Sequence, residues 1–118
     1  MAEDPNGGIV VDLMSMDGFG PVWGMASDDL NATVLVWPAH HQLVEHTNTE
    51  RDVLLIVLEG DVVATVENRA HAIAAGQALL IDKGRSRSLR AGDGGVRYLS
   101  VHVRRVGIQI EERTPGDR

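Results

Sequence analysis

Apolar positions along this chain come in short β-branched runs separated by turn residues, at a spacing near ten residues. IVVDLM gives way to DGFGP, TVLVW to PAHH, VLLIVL to EGD, VVATV to ENR, AHAIAA to GQ, ALLI to DKG and SRSLR to AGDGG, and VRYLSVHV closes the series. No window keeps apolar residues at helical spacing for three turns without meeting Gly, Pro or a β-branched cluster, so no long amphipathic helix is expected. The pattern predicts an all-β chain. Residues 53–58, VLLIVL, are apolar on both strand faces, which fits a strand with the core on one side and a second sheet or a partner on the other. VVATVEN at 62–68 alternates more and predicts a half-exposed strand.

Length narrows this to one unit: 118 residues suffice for a single core and leave no room for a second domain. Polar, Gly- and Pro-containing ends predict flexible tails at 1–8 and 112–118 around a domain at 9–111. A small all-β domain must close or double its sheet to protect strand edges, which leaves sandwiches, barrels and jelly rolls. An apolar strand face and lone edges also predict a homodimer.

Charge and cysteine content exclude several chemistries. The chain has no cysteine, so disulfides, thiolate metal sites and a cysteine nucleophile are ruled out. Seventeen acids against eleven bases give a net charge of −6, which opposes binding to nucleic acid. KGRSRSLR at 83–90 does not reverse this, because strand alternation puts Arg85 and Arg87 on one face and Arg90 on the other, with few aromatics for base stacking. The opening MAEDPNGG lacks the basic and apolar stretches of a signal peptide, and no apolar run reaches the roughly 18 residues of a membrane span. A soluble, cytoplasmic protein with no membrane contact is expected. No Ser-His-acid or phosphate-loop pattern appears, and GDGG at 92–95 reads as a hairpin turn.

Candidate chemistry concentrates in EHTNTERDVLLIVLEGD at 45–61, where His46, Asn48, Glu50 and Asp52 precede the apolar run. PAHHQLVEHTNTERDVLLIVLEG and GQALLIDKGRSRSLRA, within residues 38–91, resemble the two sequence motifs of the cupin family. That resemblance implies a cupin-like jelly-roll β-barrel. Gly60 matches the closing glycine of the first motif, while Gly76 and Gly84 match glycines of the second; these positions suit tight turns at strand ends. His40 stands in place of the first glycine, Asp82 in place of a proline and Ala91 in place of an asparagine.

Cupins typically hold a metal between strands, with about four protein ligands, three imidazoles and a carboxylate. Only His46 matches that set, since the second histidine is Asn48, the glutamate is Val53 and the last histidine is Arg87. A guanidinium has no lone pair to donate. Asp52 could substitute for the glutamate, but it is one residue early counted from Gly60, which turns it to the opposite strand face unless a bulge corrects the register.

Among the other histidines, His40 and His41 read as a polar loop and His71 as an exposed strand residue. His102 shares strand parity with Tyr98 and Ser100, either lining a cavity with them or forming a polar outer face. Trp23 and Trp37 are expected in core or dimer packing.

The leading expectation is a noncatalytic, metal-free small cupin with no cofactor, whose pocket holds a small anion, a carboxylate or a phosphate. Its ligand-binding set is His46, Asn48, Asp52, Arg87 and His102. The rival is an isomerase- or dioxygenase-type enzyme carrying one divalent transition metal on His46 and His102 with Asp52 or Asn48. The third is an interaction dimer in which Asp52 or Glu50 neutralises Arg87 permanently.

Overall fold

The structure, a computed structural model, describes residues 2–3, 8–47 and 50–104, with backbone only at 2, 3, 45 and 46. These residues form nine strands: β1 (Ala2–Glu3), β2 (Ile9–Val10), β3 (Gly20–Ala26), β4 (Leu30–Trp37), β5 (Gln42–Thr47), β6 (Val53–Val66), β7 (Arg69–Ala74), β8 (Ala78–Ile81) and β9 (Ser86–Val103). There is no helix among the described residues, and so none long and apolar enough to cross a membrane. The all-β expectation holds.

Two long strands organise everything else. The first half of β6 pairs with β8 and with the second half of β9, while its second half pairs with β7 and with the first half of β9. Each long strand therefore belongs to two sheets. One layer runs β3-β4-β9-β6-β8 and the other β5-β9-β6-β7, all antiparallel. Alternation decides what lies between them: Val53, Leu55 and Val57 point inward from the first layer, and Val62, Ala64 and Leu89 from the second, all at most 9% exposed.

Several elements differ from the sequence expectation. IVVDLM forms a strand only at Ile9–Val10, which pairs with Ala2–Glu3 in a separate two-stranded ribbon. β3 contains Pro21 and Gly24, both unfavourable in a central strand, yet it pairs only with β4 and carries a bulge between Pro21 and Trp23. Proline is tolerated at such an edge. β5 tolerates its polar residues for the same reason, having β9 as its one partner among the described residues.

Neither EGD nor AGDGG ends a strand. Gly60 pairs with Val96 and Val62 with Ala91, so residues 92–95 are extruded opposite Asp61 while β9 continues past them; GDGG is a large bulge, not a hairpin turn.

That crossing point fixes Gly60. Its φ is +78°, and a Cβ there would strike the backbone carbonyl oxygen of Gly95. Gly76 also has a positive φ, +89°, but open space where a Cβ would go. Gly76→Ala is expected to lose about 1–2 kcal/mol from backbone strain alone, and Gly60→Ala distinctly more. Urea unfolding of the two variants side by side checks the order.

Candidate functional site

Between the two layers lies a cavity of about 300 Å³. Its first wall comes from β4, β6 and β9: Leu35 pairs with Tyr98 and Leu55 with Ser100, so these four share the inner face, joined by Val53. The facing wall comes from β5 and the first half of β9, with Leu43, Val44, Ser88 and Leu89. Arg87 lies two residues before Leu89 and so falls on the same face, half-buried among aliphatic side chains.

Burial lowers the pKa of Arg87, because the low-dielectric wall disfavours its charge, and nearby Tyr98 partly offsets this. The group still carries its charge throughout the neutral range. His40 Nε2 pairs with Asp93 Oδ1 at 2.7 Å, and Arg97 Nε with Glu59 Oε1 at 3.4 Å. Neither reaches Arg87. A wider groove of about 440 Å³ beside Phe19, Glu59 and Arg97 lacks this property. Its cation is already held by Glu59 and by the Leu13 carbonyl, which accepts from Arg97 Nη1 at 3.3 Å.

Tyr98 is the second polar group of the cavity. Trp37 Nε1 donates to its hydroxyl oxygen at 3.2 Å, and the Trp37 ring stacks on His41 with centroids 4.2 Å apart and planes 2° apart. Burial raises the phenol's pKa, while the Trp37 hydrogen bond and the charge of Arg87 pull the other way. Tyr98 is thus a neutral donor at physiological pH. Since the indole occupies a lone pair on its oxygen, the phenolic proton remains available.

The site residues expected from sequence separate into three groups. Arg87 lines the cavity. His46 pairs by backbone register with Arg87, with its side chain outside the described set, and Asn48 lies outside the described residues altogether.

Asp52 and His102 do not join the cavity wall. Asp52 is exposed and its Oδ1 accepts from the Lys83 backbone N–H at 2.9 Å, tying the chain before β6 to the turn after β8. No bulge corrects its register: Val53, Leu54, Leu55 and Ile56 pair without a break with Ile81, Leu80, Leu79 and Ala78, and Val53 takes the inward position. His102 has the inward parity of Tyr98 and Ser100 but lies beyond the wall they form, with Nδ1 3.2 Å from the Val103 carbonyl oxygen.

His40 and His41 sit on a turn, His40 with φ 63° and His41 N–H donating to the Pro38 carbonyl; His71 is exposed. The pairing of Trp37 with Tyr98 spans 61 positions and has no local signal in the sequence. Strand parity around Tyr98 was the one available hint.

The described walls do not supply the donor set of a divalent ion of the cupin kind: they offer a guanidinium, a phenol kept protonated, the Ser100 hydroxyl and aliphatic carbons, with Val53 where a carboxylate would be needed. Among the described residues no three of His, Asp or Glu gather at one point.

Tyr98 is the chain's single tyrosine, so its ionisation can be read directly from phenolate absorbance. The midpoint is expected above the ordinary value of about 10, and Arg87→Met and Trp37→Phe should each move it higher still. The sign for stability follows: a raised folded pKa contributes stability fully below the unfolded value and loses it as pH rises through the folded one. Unfolding above pH 10 should track the absorbance change.

No family model matches the chain, and no curated protein sequence does. Solved structures do match. KdgF from Halomonas sp. superposes with a TM-score of 0.67 at 15% identity, covering 72% of this chain and 78% of that one. The cupin domain of Cnp3 from Schizosaccharomyces pombe gives 0.65 at 17%, covering 69% and 61%. A cupin-2 domain-containing protein from Shewanella frigidimarina gives 0.60 at 18%, covering 68% and 76%. With two antiparallel layers sharing β6 and β9 around one cavity, and with these structural neighbours, the chain has the jelly-roll fold of the cupins.

Proposed function

We propose that this chain is a small noncatalytic cupin-fold protein whose cavity binds a small anionic ligand without a metal. The observation that carries this reading is Arg87, a half-buried cation on a largely aliphatic wall that no acid among the described residues is seen to pair. An uncompensated charge in such a place is costly, and a bound anion offsets the cost with two-point recognition by the guanidinium fork. A metal-dependent enzyme finds less support, because Asp52 and His102 stand off the wall.

Small carboxylates and phosphates are the probes for a thermal-shift screen of protein purified without chelator. At least one is expected to raise Tm, by mass action on the folded state. The shift should vanish in Arg87→Ala and persist in Arg90→Ala, whose guanidinium lies exposed on the other strand face. The same preparation should carry no stoichiometric transition metal by elemental analysis; one tightly held ion per chain would defeat this reading.

We also propose that the protein is a homodimer through the outer face of the first layer. Strand register places Met25, Ala32, Val101, Leu54 and Leu80 in one continuous row across five strands, with Leu30 paired to Val103 alongside. Met25, Leu30, Leu54, Leu80 and Val103 are each 37–59% exposed, and on ordinary residue areas they leave about 450 Å² open, as large as patches that mark an interaction site. With a polar rim this approaches the roughly 800 Å² per partner of a stable interface. The outer face of the second layer differs, with Gln42, Arg90, Ser88 and Thr65 around Val63. Light scattering should find a dimer, lost in Leu54→Lys and kept in Val63→Lys, with circular dichroism confirming that both variants fold.

A further inference from the structure

We infer that the ligand is a monocarboxylate with a compact apolar body, its carboxylate held between the Arg87 guanidinium and the Tyr98 hydroxyl. This rests on the anion-binding reading above and specifies its ligand class. The polar groups of the cavity select the head. Arg87 offers only donors, and Tyr98 receives the Trp37 N–H on its oxygen, leaving its own proton to give; no acceptor for that proton occurs among the described residues. Two donors converging on one space fit a group that only accepts.

The number of charges narrows the head further. One fork balances one negative charge, whereas a phosphate brings about −1.5 to −2 at neutral pH. The excess would have to face Leu43, Leu55 and Leu89 without compensation, at a cost that outweighs a second weak hydrogen bond. A dicarboxylate meets the same obstacle at its far end. Sugars would bring many hydroxyls to a space where Ser100 is the remaining inward-facing serine among the described residues.

The rest of the wall selects the body. Leu35, Leu43, Val53, Leu55 and Leu89 present aliphatic carbon from both layers, so an apolar group gains by leaving water there. A volume of about 300 Å³ equals that of about ten water molecules. Carboxylates of eight or nine non-hydrogen atoms, such as hexanoate or benzoate, fit within that volume. Because the fold keeps the Tyr98 phenol protonated past its ordinary range, both donors persist across neutral and mildly alkaline pH.

Isothermal titration of the full chain with butanoate, hexanoate, benzoate, succinate, inorganic phosphate and hexanamide tests this. Hexanoate and benzoate should bind, with affinity rising about fourfold per methylene from butanoate to hexanoate. Hexanamide, which keeps the body and lacks the charge, should bind at least tenfold more weakly. Tyr98→Phe should weaken hexanoate about tenfold, in line with loss of a hydrogen bond to a charged group.

If succinate or phosphate binds through Arg87 while hexanoate and benzoate do not, the ligand class is wrong and the anion cavity stands. If hexanamide matches hexanoate, the carboxylate clamp is wrong. If none of the six binds, both readings fall together. The probe series on the unaltered protein decides these cases without any variant.

Discussion

A charge that no acid among the described residues is seen to pair organises the cavity. Arg87 stands among leucines on the inner wall of a β-barrel, and desolvation works against it enough to depress the pKa of a group that rarely moves. The protein could have neutralised it from within, and Asp52 is near enough in sequence to β6 to suggest so. Strand alternation forbids that solution: with Val53 inward, Asp52 is outward, and its carboxylate is engaged with the Lys83 amide. The cavity therefore retains an electrostatic demand that the described residues leave unmet.

The surroundings are arranged consistently with that demand. Trp37 and Tyr98 lie on adjacent strands β4 and β9, offset by two positions in the register that pairs Trp37 with Val96 and Leu35 with Tyr98, which brings the indole to the phenol. The result is an indole N–H donating to the phenol oxygen of a residue that lines the same cavity as Arg87. Arg97 shows the contrast, since it sits on the opposite face of β9 and is held by Glu59 and the Leu13 carbonyl. Both arginines are on one strand, and their strand face and neighbours distinguish them.

Much of this was legible before any coordinates. β-branched runs between turn residues define the long strands, and the glycines at 60, 76 and 84 mark positions that indeed adopt positive φ. The position of Arg87 on the cavity wall agrees with the motif spacing. Asp52 and His102, expected in the ligand-binding set, stand off the wall: the one-residue count left Asp52 inward only with a bulge, and the register has none. What escaped did so for identifiable reasons. β3 and β5 carry Pro, Gly and polar residues that count against a strand, and those residues are acceptable because each strand has one neighbour. AGDGG has hairpin composition but is extruded from a strand that continues. The link between Trp37 and Tyr98 depends on a pairing register that composition cannot supply.

The sharing of β6 and β9 between both layers has a mechanical consequence. In a sandwich of two separate sheets the gap is held by side-chain contacts and the sheets can slide past one another. Here two unbroken backbones run from one layer into the other, so the floor and most of both walls are covalently coupled and resist shear. The wall that carries Arg87 differs in this respect, because its other strand, β5, pairs with β9 alone among the described residues and has a register break between Leu43 and His46; the fixed strand β9 holds the guanidinium, and the margin beside it carries Leu43 and Val44.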